Sequence, residues 1–159
     1  GYRAIRCVGL IVDAPRVSDD TWLYFPDTDV LFARCHEPRN WDPAMAPPGK
    51  TSLCLEIFCN EGDEVWRLSE RELISRCVAD LDRLGLVSAK KIVAGFAVPV
   101  PNAYPVFRVG YRHPLRAVLD AVSRIENLRV LGRTGAYRYE NMDQVVEAAL
   151  ILAKEMTDA

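Results

Sequence analysis

The sequence predicts an α+β fold, a mostly antiparallel β-sheet carrying about three helices. Two observations lead there. Extended stretches rich in β-branched and aromatic residues occupy 4–12, 21–35, 51–59 and 91–98. No crossover helix separates the first three, so they pair antiparallel. Helical periodicity is confined to three later segments near 69–84, 114–126 and 141–156. A chain of 159 residues, half of them hydrophobic, has the length of one ordinary domain with a real core.

Residues 4–12 (AIRCVGLIV) are stopped by Asp13-Ala-Pro15. Trp22 to Phe25 and Val30 to Cys35 flank the turn-forming set Pro26-Asp-Thr-Asp29 and predict a hairpin. Residues 36–50 hold four prolines and a glycine, which suits an irregular surface loop rather than a central strand. Thr51 to Cys59 returns to a strand with Leu53, Leu55 and Ile57 on one face and Ser52, Cys54, Glu56 and Phe58 on the other. Ser69-Glu-Arg-Glu72 is a capping box ahead of the stripe Leu73, Ile74, Cys77, Val78, Leu81 and Leu84, which Gly85 ends. Residues 92–100 are extended and run into Pro99 and Pro101. Pro114 opens the next helix, whose stripe is Leu115, Val118, Leu119, Val122 and Ile125. Residues 127–131 read as a turn and a short strand, followed by the glycine loop Gly132-Arg-Thr-Gly135. The last helix starts near Asn141, with Gln144 three positions on. Its Val145, Val146, Ala149, Leu150, Leu152 and Ala153 cover more than one face, which predicts deep burial.

Charge and composition exclude several function classes. Twenty Lys+Arg against 22 Asp+Glu leave a net charge of −2, with no basic surplus for nucleic acid. No apolar stretch approaches the ~20 residues of a membrane span. Residues 4–12 are broken by Arg6 and Gly9 and lack the cleavage site of a signal peptide. A soluble, cytoplasmic protein is expected. The five cysteines include no CxxC pair, so they are expected to be reduced and to act mainly as small hydrophobes. His36 and His113 have no partner at metal-ligand spacing, and no metal site is expected.

The informative stretch for chemistry is 128–150, LRVLGRTGAYRYENMDQVVEAAL. The free N–H groups at a helix start formed by Asn141, Met142 and Asp143 are a seat for a carbonyl oxygen or an anion. Arg133 could reach a phosphate or carboxylate, and Tyr137 and Tyr139 present phenols beside the same seat. An ordinary corner with solvated arginine and tyrosines fits the same residues. Elsewhere, Asp19-Asp20, Asp27 with Asp29, and Glu61, Asp63 and Glu64 read as solvated loop charge. Trp22, Trp41 and Trp66 could line a sugar- or isoprenoid-binding cleft or be core. His36 and Glu37 are adjacent and so face apart on a strand. Arg108, Arg112 and Arg116 around Tyr111 form a mildly basic patch.

Gly132-Arg133, Tyr137-Arg138-Tyr139 and Asn141-Met142-Asp143 together resemble the C-terminal flavin-contacting segment of FAD-dependent enzymes of the amine oxidase and protoporphyrinogen oxidase type, and especially of UDP-galactopyranose mutases. Trp22-Leu-Tyr-Phe-Pro-Asp27, Pro47-Pro-Gly49 with Thr51-Ser-Leu53, and Ala103-Tyr-Pro-Val106 resemble landmarks of the substrate-domain half. The resemblance implies that residues 1–126 are a substrate-binding α+β domain, and that 127–159 form a strand-loop-helix completing the FAD-binding domain. It implies cofactor contacts from Gly132, Arg133, Asn141, Met142, Asp143 and Gln144, and substrate contacts from Tyr104, Tyr137 and Tyr139. No residue is implied as a catalytic nucleophile.

No GxGxxG occurs in the sequence. The resemblance therefore implies the C-terminal region of a two-domain flavoenzyme whose Rossmann half is absent, binding FAD weakly or not at all on its own. The expected partners are that Rossmann portion, a small-molecule substrate such as a nucleotide sugar, and a second copy of the chain through the uncovered edge. The implied function is an FAD-dependent oxidoreductase region that supplies the substrate pocket and part of the flavin site. A mutase-like region and a cofactor-free binding or assembly domain are the alternatives. The mutases carry an aspartate where this chain has Asn141, which weakens the case for a true mutase and leaves a related oxidoreductase at least on a par with it.

Overall fold

The computed structural model describes residues 1–158. Its order is β1 (Tyr2–Val12), β2 (Trp22–Tyr24), β3 (Arg34–His36), β4 (Thr51–Cys59), α1 (Glu64–Arg67), α2 (Glu70–Arg83), β5 (Ile92–Pro105), α3 (Arg112–Val122), α4 (Gly132–Gly135) and α5 (Met142–Thr157), with short 3-10 turns between some of them. The fold is α+β, with a five-stranded sheet ordered β2-β3-β4-β1-β5. The pairs β1–β4, β3–β4 and β2–β3 are antiparallel. Helices exceed the expected three because α1 and α4 are single four-residue turns.

Two compact units divide the chain: Arg3–Ala103, and Tyr104 onward together with Gly1–Tyr2. The division falls between Ala103 and Tyr104, earlier than the 126/127 boundary read from sequence, so α3 goes with the C-terminal residues.

The first unit is built on β1 and β4. Their register, Ala4 opposite Cys59 through Val12 opposite Thr51, sets Val8, Leu10, Leu53, Leu55 and Ile57 on one buried face. Leu73, Cys77 and Leu81 of α2 pack on that face. The capping box starts α2 as expected: Glu72 accepts from the Ser69 N–H at 2.9 Å and Ser69 Oγ accepts from the Glu72 N–H at 3.3 Å. The other face of the sheet is partly exposed. There Gly9 allows close approach, since a Cβ at this position would meet the Phe96 ring at 2.4 Å.

Three expectations are corrected. Strand pairing in the predicted hairpin is limited to three residues on each side, and Val30 to Ala33 are not strand. Those residues serve the core instead, where Phe32 is fully buried and stacks edge-on with Phe25 at 4.8 Å. Residues 127–131 form no strand, and among the described residues no strand lies beside them to pair with. The final helix α5 contains no buried residue, and Leu150 is 68% exposed. Its apolar sequence has no covering element among the described residues. β5 continues through Pro99 and Pro101 because it is an edge strand, where a missing N–H breaks no ladder.

The loop after β1 is held by a buried carboxylate. Glu37, 2% exposed, accepts from the Val17 N–H at 3.1 Å, the Ser18 N–H at 2.9 Å and the Thr51 hydroxyl at 2.6 Å. Glu37→Ala strands three donors and is expected to lower the unfolding free energy by about 3 kcal/mol, read by urea denaturation. A loss below about 1 kcal/mol would show that water replaces the carboxylate at no cost.

Two further carboxylates make stability acid-sensitive. The Asn60 N–H, then the Trp66 N–H, hold Asp63 below the ordinary carboxylate range, and the Ser69 hydroxyl and N–H do the same for Glu72. Both folded-state values lie below the unfolded ones, so this stabilisation is complete above the unfolded values near about pH 4 and disappears as pH falls through the folded values. The urea midpoint should fall below about pH 4, and the Asp63→Asn/Glu72→Gln double variant should show a shallower fall. An identical acid profile in the variant contradicts the assignment.

Candidate functional site

The cofactor and substrate contacts implied by the resemblance all lie in the unit made of Tyr104 onward with Gly1–Tyr2, and the three tryptophans in the other. Gly132 opens α4 with φ +77°, and a Cβ there would only touch Val145 at 3.6 Å, so backbone conformation rather than space asks for glycine. The turn closes through Ala136 N–H to Gly132 O at 2.9 Å and Arg138 N–H to Arg133 O at 3.2 Å.

Arg133 stands between two aromatic rings, its guanidinium carbon 4.4 Å from the Tyr139 centroid and 5.1 Å from that of Tyr104. Cation–π contacts of this kind leave the in-plane N–H donors for an acceptor. The Arg133 Nε is buried and has no hydrogen-bond partner among the described residues. Glu140 shows the complementary feature, with Oε2 buried and unpartnered while Arg138 lies 3.9 Å from Oε1. Buried polar atoms of this sort are satisfied by water, an ion or a ligand, and Arg6 Nε, His36 Nδ1 and Asn40 Oδ1 are in the same state in the first unit.

Tyr137 is used differently from Tyr139. It has a left-handed φ of +51°, and its hydroxyl is shared between Gly1 O at 2.8 Å and Val106 O at 3.1 Å. Its ring packs edge-on against Phe107 at 5.5 Å and Tyr2 at 5.7 Å. Tyr139 is 64% exposed. Both tyrosines, with Arg138 and Gln144, line a cleft of about 600 Å³ whose other wall is Phe107, Tyr111, Arg112 and Leu115. A neighbouring cleft of about 640 Å³ shares Leu119, Ala136, Arg138 and Glu140 with it and includes Gly132.

The start of α5 is organised as its sequence suggests. Gln144 Oε1 accepts from the Asn141 N–H at 2.8 Å, and the Val145 N–H reaches Asn141 O at 3.0 Å. The first-turn amides point out of the helix end. Asp143 sits among them, a charge that suits the helix dipole and makes the end a better seat for a neutral carbonyl than for an anion. The side chains of Met142 and Asp143 lie on an outer groove with Val146, Leu150 and Ile151, so only their backbone shares the end with Asn141.

The structure thus gathers Arg133 with Tyr104 and Tyr139, and Tyr137 and Tyr139 with Gln144. Sequence reading missed Phe107 and Glu140, since neither carries a local signal and both enter through tertiary packing. Of the tryptophans, Trp22 and Trp41 close a ring cluster with His36, at centroid separations of 4.5 Å for Trp22–His36, 5.1 Å for His36–Trp41 and 5.7 Å for Trp22–Trp41. Burial draws the His36 imidazole below its ordinary pKa. Trp66 lies apart, under the Arg6 guanidinium. The described residues contain no group of three or more side chains able to hold a metal, and no helix long and apolar enough to cross a membrane.

No protein-family model and no curated protein matches the chain. Solved structures do. Reduced UDP-galactopyranose mutase matches over 87% of this chain with a TM-score of 0.74 and 23% identity, covering 29% of that protein. A protein from Exiguobacterium sp. 255-15 described as a protoporphyrinogen oxidase matches over 98% with a TM-score of 0.70 and 14% identity, covering 34% of it. The chain has the fold of one part of such proteins and spans about a third of their length.

Tyr137→Phe is expected to weaken the unit beginning at Tyr104 by about 1 to 2 kcal/mol, through loss of one hydroxyl serving two carbonyls. Amide hydrogen exchange should quicken in residues 104–158 and stay unchanged in 3–103. Unchanged exchange in both would show that the hydroxyl contributes nothing.

Proposed function

We propose that this chain is the substrate-side and flavin-edge region of an FAD-dependent oxidoreductase of the amine oxidase type. The observation that supports the reading best is Arg133, held between the Tyr104 and Tyr139 rings with a buried, unpartnered Nε.

The residues fit a flavin nucleotide. Arg133 offers a charged donor to a diphosphate or ribityl oxygen. The backbone amides that start α5 suit the carbonyl acceptors of a pyrimidine edge, in keeping with the Asp143 charge beside them. A bound flavin would supply the acceptor for a hydride, which carries two electrons. Around it, the α5 amides would donate to the neutral carbonyls of the pyrimidine edge, and the exposed Tyr139 phenol orients a substrate. Phe107, Tyr111 and Tyr137 give the same cleft an aromatic lining. The uncovered apolar face of α5, including Val146, Leu150 and Ile151, is where the dinucleotide-binding portion of the enzyme would pack.

A mutase-like reaction is the second reading. One observation favours it: Arg112 and Arg138 line the same cleft as Tyr139, an arrangement able to hold the diphosphate of a nucleotide sugar.

Flavin fluorescence titration tests the assignment. FAD should be quenched saturably and weakly by this chain, and Arg133→Ala should weaken binding about tenfold or more. Equal binding by the variant, or no saturable quenching by the unaltered chain, overturns it.

A further inference from the structure

The open face of the central sheet carries a pair of cysteines that the proposed flavin site does not use. β1 and β4 pair Cys7 with Glu56 and Gly9 with Cys54, so Cys7 and Cys54 are diagonal neighbours on one face. This is the face opposite α2. Both thiols are free and only partly buried. That register brings the two thiols within reach of each other, and the Cys54 S–H serves as donor to the Cys7 sulfur.

The Cys7 thiol differs from all the others, Cys54 included, whose hydrogen bond to Cys7 and burial push it up. Cys35, Cys59 and Cys77 are buried, and burial pushes Cys35 and Cys77 up to about 12. Cys7 is instead drawn below its ordinary value by the Cys54 hydrogen bond. Thiolate character and exposure decide which thiol reacts. His36 stands directly opposite Cys54 on β3, and the Glu56 opposite Cys7 is bonded to Arg34 Nε at 2.7 Å.

We infer that Cys7 and Cys54 form a peroxide-oxidisable dithiol that closes to a reversible cross-strand disulfide. The Cys7 sulfur attacks one oxygen of hydrogen peroxide and the O–O bond breaks. The departing hydroxide takes up the Cys7 proton as water, leaving Cys7 as a sulfenic acid. The Cys54 sulfur then attacks the Cys7 sulfur, the S–O bond breaks, and a second water leaves with the Cys54 proton. In total, two thiols and one peroxide become one disulfide and two waters. The thiols lose two electrons and the peroxide gains them.

Diagonal neighbours in an antiparallel sheet are about 7 to 8 Å apart, somewhat wider than disulfides prefer. Closing the bond therefore draws β1 toward β4 and strains it. A strained, partly exposed disulfide is readily reduced, which makes this a switchable bond rather than a structural one. The inference is independent of the flavin reading.

The test is made on the reduced chain as it stands. It is treated with hydrogen peroxide, alkylated, digested without reductant and mapped by mass spectrometry. The expected result is a peptide linking Cys7 to Cys54 that dithiothreitol removes, while Cys35, Cys59 and Cys77 remain alkylatable once the chain is denatured. In Cys54→Ala, Cys7 should accumulate as a sulfenic acid trapped by dimedone. The mapping of the unaltered chain decides the matter even where that variant does not fold. Both cysteines still alkylated under excess peroxide, or Cys7 oxidised to the sulfinic acid with Cys54 untouched, overturns the inference.

Discussion

The nine-residue ladder between β1 and β4 is the constraint from which the rest of this chain follows. With a side-chain period of two, a slip of one residue would move Leu53, Leu55 and Ile57 off the face that α2 covers and put Cys54, Glu56 and Phe58 there instead. That cost fixes the register. Once it is fixed, β3 and β2 extend the sheet from β4, while β5 lies along β1. The Glu37 carboxylate then ties the β1–β2 connection to Thr51 at the first residue of β4.

Much of the first unit was legible from local signals. The alternation in 51–59, the Ser69–Glu72 capping box and the stripe through Leu73, Cys77 and Leu81 each specify their element without tertiary help. The hairpin was less legible because Phe32 is taken up by the core, which shortens the paired region to three residues on each side. Residues 127–131 and α5 misled for a common reason. Their composition is that of buried elements, and the described residues supply neither a strand to pair with the one nor a layer to cover the other. A chain covering about a third of its structural neighbours is expected to show surfaces of that kind.

The candidate site divides the same way. Gly132, Arg133 and the Asn141–Gln144 helix start lie close together in sequence, so their chemistry could be read as one motif. That Tyr104 and Tyr139 both lie against the Arg133 guanidinium, while Tyr137 spends its hydroxyl on Gly1 and Val106, depends on packing that no local pattern encodes. The diagonal contact of Cys7 with Cys54 depends on strand register in the same sense: counting cysteines identifies neither member.

The proposed flavin-contacting edge, Gly132 to Gln144, is open to an amide NMR titration of the chain with FAD. Shifts should concentrate at Gly132, Arg133 and Asn141 through Gln144, with the Arg133 Nε–H among the most displaced. Shifts centred on the sheet unit instead, or none at all at millimolar FAD, would place the flavin elsewhere or nowhere on this chain.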